Sequence, residues 1–93
     1  MSIMQVRGGF PRPWRETVGV AGRVHQFPFY TSFLQVHADT NPIRLYFTEE
    51  DFTADANYWE GFDYEGPAEI IRLWLRGVGG NSVVQVMAYQ RRG

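Results

Sequence analysis

Ile70-Ile71-Arg72-Leu73-Trp74-Leu75-Arg76, then Gly77-Val78-Gly79-Gly80-Asn81-Ser82, then Val83-Val84-Gln85-Val86-Met87-Ala88-Tyr89-Gln90 is the stretch that decides the fold. Ile71, Leu73 and Leu75 alternate with Arg72, Trp74 and Arg76, the period of a strand with one apolar face. Residues 69–76 also admit a helix, with Pro67 ahead of it, Glu69 in the first turn, Arg76 in the last and Gly77 just beyond. The glycine-rich link favours two strands. Gly79-Gly80 and Gly80-Asn81 both suit the positive φ angles of a tight turn, and residues 83–90 are again alternating and β-branched. The spacing therefore predicts a β-hairpin. Either turn centre keeps the same faces, because the register moves by two. Ile71, Leu73, Leu75, Val84, Val86 and Ala88 form a core face. Ile70, Arg72, Trp74, Arg76, Val83, Gln85, Met87 and Tyr89 form the other, whose Trp, Tyr, Met and Arg have the composition of a protein–protein interface.

Moving toward the N-terminus, residues 43–48 alternate, with Ile43, Leu45 and Phe47 facing one way and Arg44, Tyr46 and Thr48 the other. Residues 32–38 make another strand, and Asp39-Thr40-Asn41-Pro42 between them reads as a hairpin turn. In residues 16–27, Val18, Val20, Gly22 and Val24 recur with period two, predicting one strand whose glycines mark a bulge or a close backbone approach. Upstream, Gly8-Gly9-Phe10-Pro11-Arg12-Pro13-Trp14 is too rich in glycine and proline for a helix or a central strand. Residues 1–15, with the short alternating piece at 3–7, are expected to form an extended arm presenting Phe10 and Trp14. Residues 16–93 are expected to form one β domain. The acidic and aromatic stretch 49–66 reads as a long loop with room for a short strand or helical turn.

Composition bounds the function. A chain of 93 residues supports one hydrophobic core. Its net charge of −1 argues against a domain built to neutralise phosphates, and its nine basic residues are all arginine, which excludes lysine chemistry. Cysteine is absent, which removes disulfides, thiolate metal sites and a thiol nucleophile. Apolar runs fall short of the ~20 residues of a membrane helix, and no signal-peptide apolar region is expected. An aromatic fraction of 16% is more than a core of this size hides comfortably.

Residues 49–57 carry oxygen ligands (Glu49, Glu50, Asp51, Asp55, Asn57) without the order or the turn glycine of a calcium loop, so no metal is expected. His25 and His37 each fall in a strand and read as structural. The pairs Glu49/Glu50 and Glu60/Asp63 lack the room for a substrate cleft in so small a domain. No enzyme activity, catalytic residue or cofactor is expected. Tyr58, Trp59, Phe62 and Tyr64 admit three readings: a sugar-stacking platform, a lid on a sandwich, or a surface for another chain. Phe27, Phe29 and Tyr30 read as a core plug, and Arg91-Arg92 as a solvated basic tail.

Taken together, Ile43-Arg44-Leu45-Tyr46-Phe47-Thr48-Glu49-Glu50-Asp51-Phe52, Ala56-Asn57-Tyr58-Trp59, Ile71-Arg72-Leu73-Trp74-Leu75-Arg76-Gly77 and Ala88-Tyr89-Gln90-Arg91-Arg92 are similar to small β-rich virion proteins of tailed bacteriophages. The resemblance covers about half the chain, is one of pattern, and carries no catalytic residues. It implies a protein that decorates or stabilises a capsid, or forms a fibre or adaptor part, on a symmetric lattice.

The sequence thus predicts an all-β fold, an antiparallel sandwich or jelly-roll-like pair of sheets with roughly six to eight short strands. The expected function is that of a non-enzymatic virion structural protein. Its expected partners are capsid or tail proteins and its own copies, with no nucleic acid and no membrane. Phe10, Trp14, Arg72, Trp74, Arg76, Met87 and Tyr89 are its expected interface. The alternative is a carbohydrate-binding module using Tyr58, Trp59, Phe62 and Tyr64.

Overall fold

The structure, a computed structural model, describes residues 11–90. Phe10, the alternating piece at 3–7 and Arg91-Arg92 lie outside the described residues. In chain order the elements are β1 (Pro11–Val18), β2 (Arg23–Gln26), β3 (Thr31–Asp39), β4 (Ile43–Tyr46), α1 (Glu49–Ala54), β5 (Trp59–Gly61), β6 (Asp63–Pro67), β7 (Arg72–Gly77) and β8 (Ser82–Gln90). Two four-stranded antiparallel sheets face each other. Sheet A has the order β1-β8-β3-β6 and sheet B the order β2-β7-β4-β5.

These orders define a jelly roll. Strands pair in a nested set, β1 with β8, β2 with β7, β3 with β6 and β4 with β5. That double ribbon is wound so that β8 also meets β3 and β7 also meets β4. Between the sheets lie Val18, Leu34, Val36, Ala38, Ile43, Leu45, Leu73, Leu75, Val84, Val86 and Ala88, all buried. They are the inward half of each alternating strand, as period-two geometry requires. Aromatic side chains close the two open edges. Trp14 from β1 stacks on His25 from β2 with ring centres 4.2 Å apart, and Trp59 from β5 meets Tyr64 from β6 edge to face at 5.4 Å.

Several local expectations are corrected. The hairpin expected between residues 69–76 and 83–90 does not form: β7 lies in sheet B and β8 in sheet A. Most of the expected core face survives, because Leu73, Leu75, Val84, Val86 and Ala88 are all buried, but they line opposite walls of the core. Ile71, expected with them, precedes β7 and is only half-buried, and Ile70, expected on the other face, packs against the core instead. The same holds for β3 and β4, which also lie in different sheets. Their connection is tied to the β7–β8 connection by the buried Ser82 hydroxyl on the Asp39 and Asn41 carbonyls, and by Asn41 Nδ2 donating to the Asn81 carbonyl at 2.9 Å. The single strand expected over 16–27 is two strands joined by a turn at 19–22, where the Gly22 N–H bonds the Gly19 carbonyl and Gly22 has φ +93°. Val20 and Val24 are consequently 55% and 50% exposed. Residues 11–15, expected in the arm, pair with β8.

The expected long loop 49–66 folds into α1, β5 and most of β6. Thr48 caps α1 by accepting a hydrogen bond from the Asp51 N–H, and Glu49, Glu50 and Asp51 occupy the first turn, where negative charge suits the helix dipole. The helix ends at Asp55, whose φ of 53° is left-handed.

Candidate functional site

The outward faces of the two sheets carry different chemistry. On sheet A the register places Arg15 of β1, Gln85 of β8, His37 of β3 and Asp63 of β6 in one row across all four strands. Pro13, Met87, Gln35 and Glu65 form the next row. Together the two rows line a concave depression of about 590 Å³. Its polar groups are held unequally. His37 Nδ1 lies 2.6 Å from Asp63 Oδ1 and its Nε2 lies 2.9 Å from Asp39 Oδ1. The hydrogen bond to Asp63, then that to Asp39, pushes the imidazole pKa up from its ordinary value. Gln35 is oriented by its Oε1, which accepts from the Tyr89 hydroxyl at 3.0 Å. Arg15 and Gln85 are exposed, and neither side chain has a partner among the described residues.

Sheet B presents Val24 and Gln26 of β2, Arg72, Trp74 and Arg76 of β7, Arg44 and Tyr46 of β4, and Glu60 of β5. The part of this face around Tyr46, Arg44 and Arg76 is covered by α1 and the segment after it. Tyr46 is fully buried there, with Phe52 and Tyr58 edge-on to its ring at 5.3 and 5.6 Å and its hydroxyl donating to Asp55. Burial, then that hydrogen bond, raises the phenol pKa, and the same bond lowers that of the Asp55 carboxyl. Arg44 binds Glu60 through Nε at 2.8 Å and Asp55 through Nη1 at 2.9 Å, and its guanidinium lies 4.2 Å from the centre of the Tyr58 ring. Arg76 donates from Nη2 to the Phe52 carbonyl at 3.1 Å and packs over the Phe52 ring at 4.4 Å. This cluster fastens α1 to the sheet.

The structure separates the residues expected to form one interface. Arg72, Trp74 and Arg76 lie on the outer face of sheet B, with Arg76 engaged by α1. Met87 lies in the depression on sheet A, and Tyr89 is 7% exposed beside Phe33. Trp14 turns inward onto His25. The four aromatics of the expected platform are divided too: Trp59 and Tyr64 pack against the core, Tyr58 lies over Arg44 on sheet B, and Phe62 is exposed between β5 and β6.

Sequence reasoning missed Arg15, Gln35, His37, Asp63 and Gln85 as a group. The alternation of β8 already put Gln85 on the outer face, and that of β3 was a signal that could have put Gln35 and His37 there too. Their juxtaposition with Arg15 and Asp63 depends on β1 and β6, which read as arm and loop. Among the described residues no group of three or more His, Cys, Asp or Glu is placed to hold a metal ion. No protein-family model, curated protein or solved structure matches this chain.

Proposed function

We propose that this chain is a non-enzymatic structural protein of the tailed-phage virion type, a capsid-decorating, fibre or adaptor component that acts by contact with capsid or tail proteins and with its own copies. The pattern resemblance in its C-terminal half supports this reading, and jelly rolls serve widely as capsid domains. Fold alone does not define function, so the proposal rests on a surface.

One observation carries it. On sheet B, α1 covers Tyr46 and leaves the adjoining strip, where Val24 is 50% exposed directly across from Trp74 and the Arg72 side chain is exposed. An apolar pair flanked by arginine matches the composition of contact surfaces. A stable contact through it would bury roughly 1,200–2,000 Å² in total, so neighbouring residues of β2 and β7 belong to the same footprint.

Light scattering over a hundredfold concentration range tests this reading. The wild type is expected to associate, Trp74→Thr to shift it toward monomer, and Met87→Thr, on the opposite sheet, to change nothing. A wild-type monomer throughout, or an oligomer indifferent to Trp74→Thr, removes this strip as the contact surface between copies.

A further inference from the structure

The depression on sheet A lies on the opposite side of the sandwich from the Trp74 strip and is independent of the assembly reading. We propose that it binds an acidic oligosaccharide, with a sugar carboxylate on the Arg15 guanidinium and ring hydroxyls on the Gln85 and Gln35 amides and the Asp63 carboxylate.

About 590 Å³ falls within the roughly 300–1,000 Å³ typical of ligand clefts. The walls belong to β1 and β6, three inter-strand steps apart, or roughly 14 Å at ~4.8 Å per step. That width suits a short oligosaccharide lying across the strands better than a single ring.

The chemistry narrows the occupant. Gln85 offers a donor and an acceptor and Gln35 a donor, which is what a hydroxyl needs from its partners. Two of the polar groups are fixed beforehand. Gln35 is held through its oxygen by Tyr89, leaving its NH₂ to donate. Asp63 spends Oδ1 on His37, leaving Oδ2 to accept. His37 has both ring nitrogens occupied and so positions Asp63. Met87 and Pro13 supply an apolar floor for the C–H face of a ring.

Charge sets the polarity of the ligand. Arg15 on the β1 wall has no carboxylate partner among the described residues, whereas Asp63 and Glu65 stand on the β6 wall. The acid group therefore lies at the β1 side and neutral, hydroxyl-rich rings extend toward β6. A peptide fits less well, because the face of a sheet offers no free backbone edge for strand addition. A second copy fits less well again, since two concave faces set against each other leave a void.

The test uses the full chain and two probes with a single acid group at one end, glucuronosyl-xylotriose and sialyllactose, with xylotetraose as the neutral control. Backbone and glutamine side-chain amide signals are followed by NMR titration. At least one acidic probe is expected to saturate, shifting the Gln35 and Gln85 side-chain signals. Arg15→Ala is expected to weaken it about tenfold or more, as loss of a charge-assisted hydrogen bond implies. Xylotetraose should bind about tenfold or more weakly than that probe, and Arg15→Ala should not alter its binding. Trp74→Thr should bind as the wild type does, which keeps the outcome separate from that of the assembly reading. The proposal is overturned if neither acidic probe saturates in the millimolar range, or if Arg15→Ala binds as well as the wild type. It is also overturned if these signals shift with protein concentration alone, which would make the occupant a protein.

Discussion

The Phe52 ring occupies the space that a side chain at Gly22 would need: a β-carbon there would lie 2.5 Å from Phe52 Cζ. The turn between β1 and β2 and the helix inserted between β4 and β5 are thus fitted to each other across the outer face of sheet B. Arg76 completes the contact from β7.

Gly22→Ala should therefore cost about 2 kcal/mol or more, since it adds a positive-φ penalty to the steric one. Phe52→Ala should cost about 2 kcal/mol through lost packing. The double variant should be less destabilised than the sum by about 1 kcal/mol, because removing the ring relieves the clash but not the backbone strain. Urea unfolding of the four proteins measures this coupling, and strict additivity would refute the contact.

Two glycines, Gly77 at the end of β7 and Gly79 in the connection to β8, should respond differently to alanine. At Gly77 a β-carbon would lie 2.4 Å from the Gly80 carbonyl oxygen and 3.0 Å from that of Val18, in a buried position. At Gly79 it would meet nothing within 4 Å, although φ is +81°. Gly79→Ala is expected to cost about 1 kcal/mol, from backbone conformation alone. Gly77→Ala is expected to cost more than twice as much or to prevent folding, as soluble yield and thermal melting would show.

Asp55 accepts from Tyr46 and binds Arg44, and its carboxyl pKa is held below its ordinary value of 3.8. A depressed carboxyl contributes stability above its unfolded pKa and loses it as pH falls through the folded value. Asp55→Asn keeps a residue tolerant of the left-handed backbone. It should be less stable than the wild type at pH 7, and the gap should close in strong acid. A gap that persists unchanged would place the effect on packing instead.

The two histidines should act in opposite pH windows. The His37 pKa is raised by Asp63 and then Asp39, so its contribution is complete below about 6.5 and is lost as pH rises through the folded value. Burial lowers the pKa of His25 between Trp14 and Phe27. The unfolded chain then takes up a proton first, and stability falls as pH drops below about 6.5. Urea midpoints measured across about pH 5–9 should lose the alkaline limb in His37→Gln and the part of the acid limb due to His25 in His25→Phe. NMR titration of the two rings should give midpoints on either side of that ordinary value.

Alternation along the chain was enough to determine that this is an all-β protein, which residues of β4 share a face, and which of β7 and β8 face the core. A side chain's face depends only on its parity within a strand, and Leu34, Val36, Ile43, Leu45, Leu73, Leu75, Val84 and Val86 carry that signal locally. Their partners do not follow from it. Gly79-Gly80 looks like a hairpin turn because the connection is tight. Yet β7 and β8 bond to opposite sheets, and in the nested pairing of a jelly roll only β4 and β5 are neighbours both in sequence and in a sheet.

The candidate sites follow the same division. Tyr46 was legible as an outward residue of β4 but is fully buried, because α1 folds back over it in a stretch that read as a loop. Trp14 and Trp59 looked available for partners but close the edges of the sandwich, where each meets an aromatic ring from the facing sheet. Arg15, Gln85, His37 and Asp63 stand in one row because β1, β8, β3 and β6 are neighbours in space. Strand character and inward or outward facing are properties of a few consecutive residues. Which faces meet, and which groups share a cleft, is decided by pairing between residues as far apart as Arg15 and Gln85, and that only the tertiary structure contains.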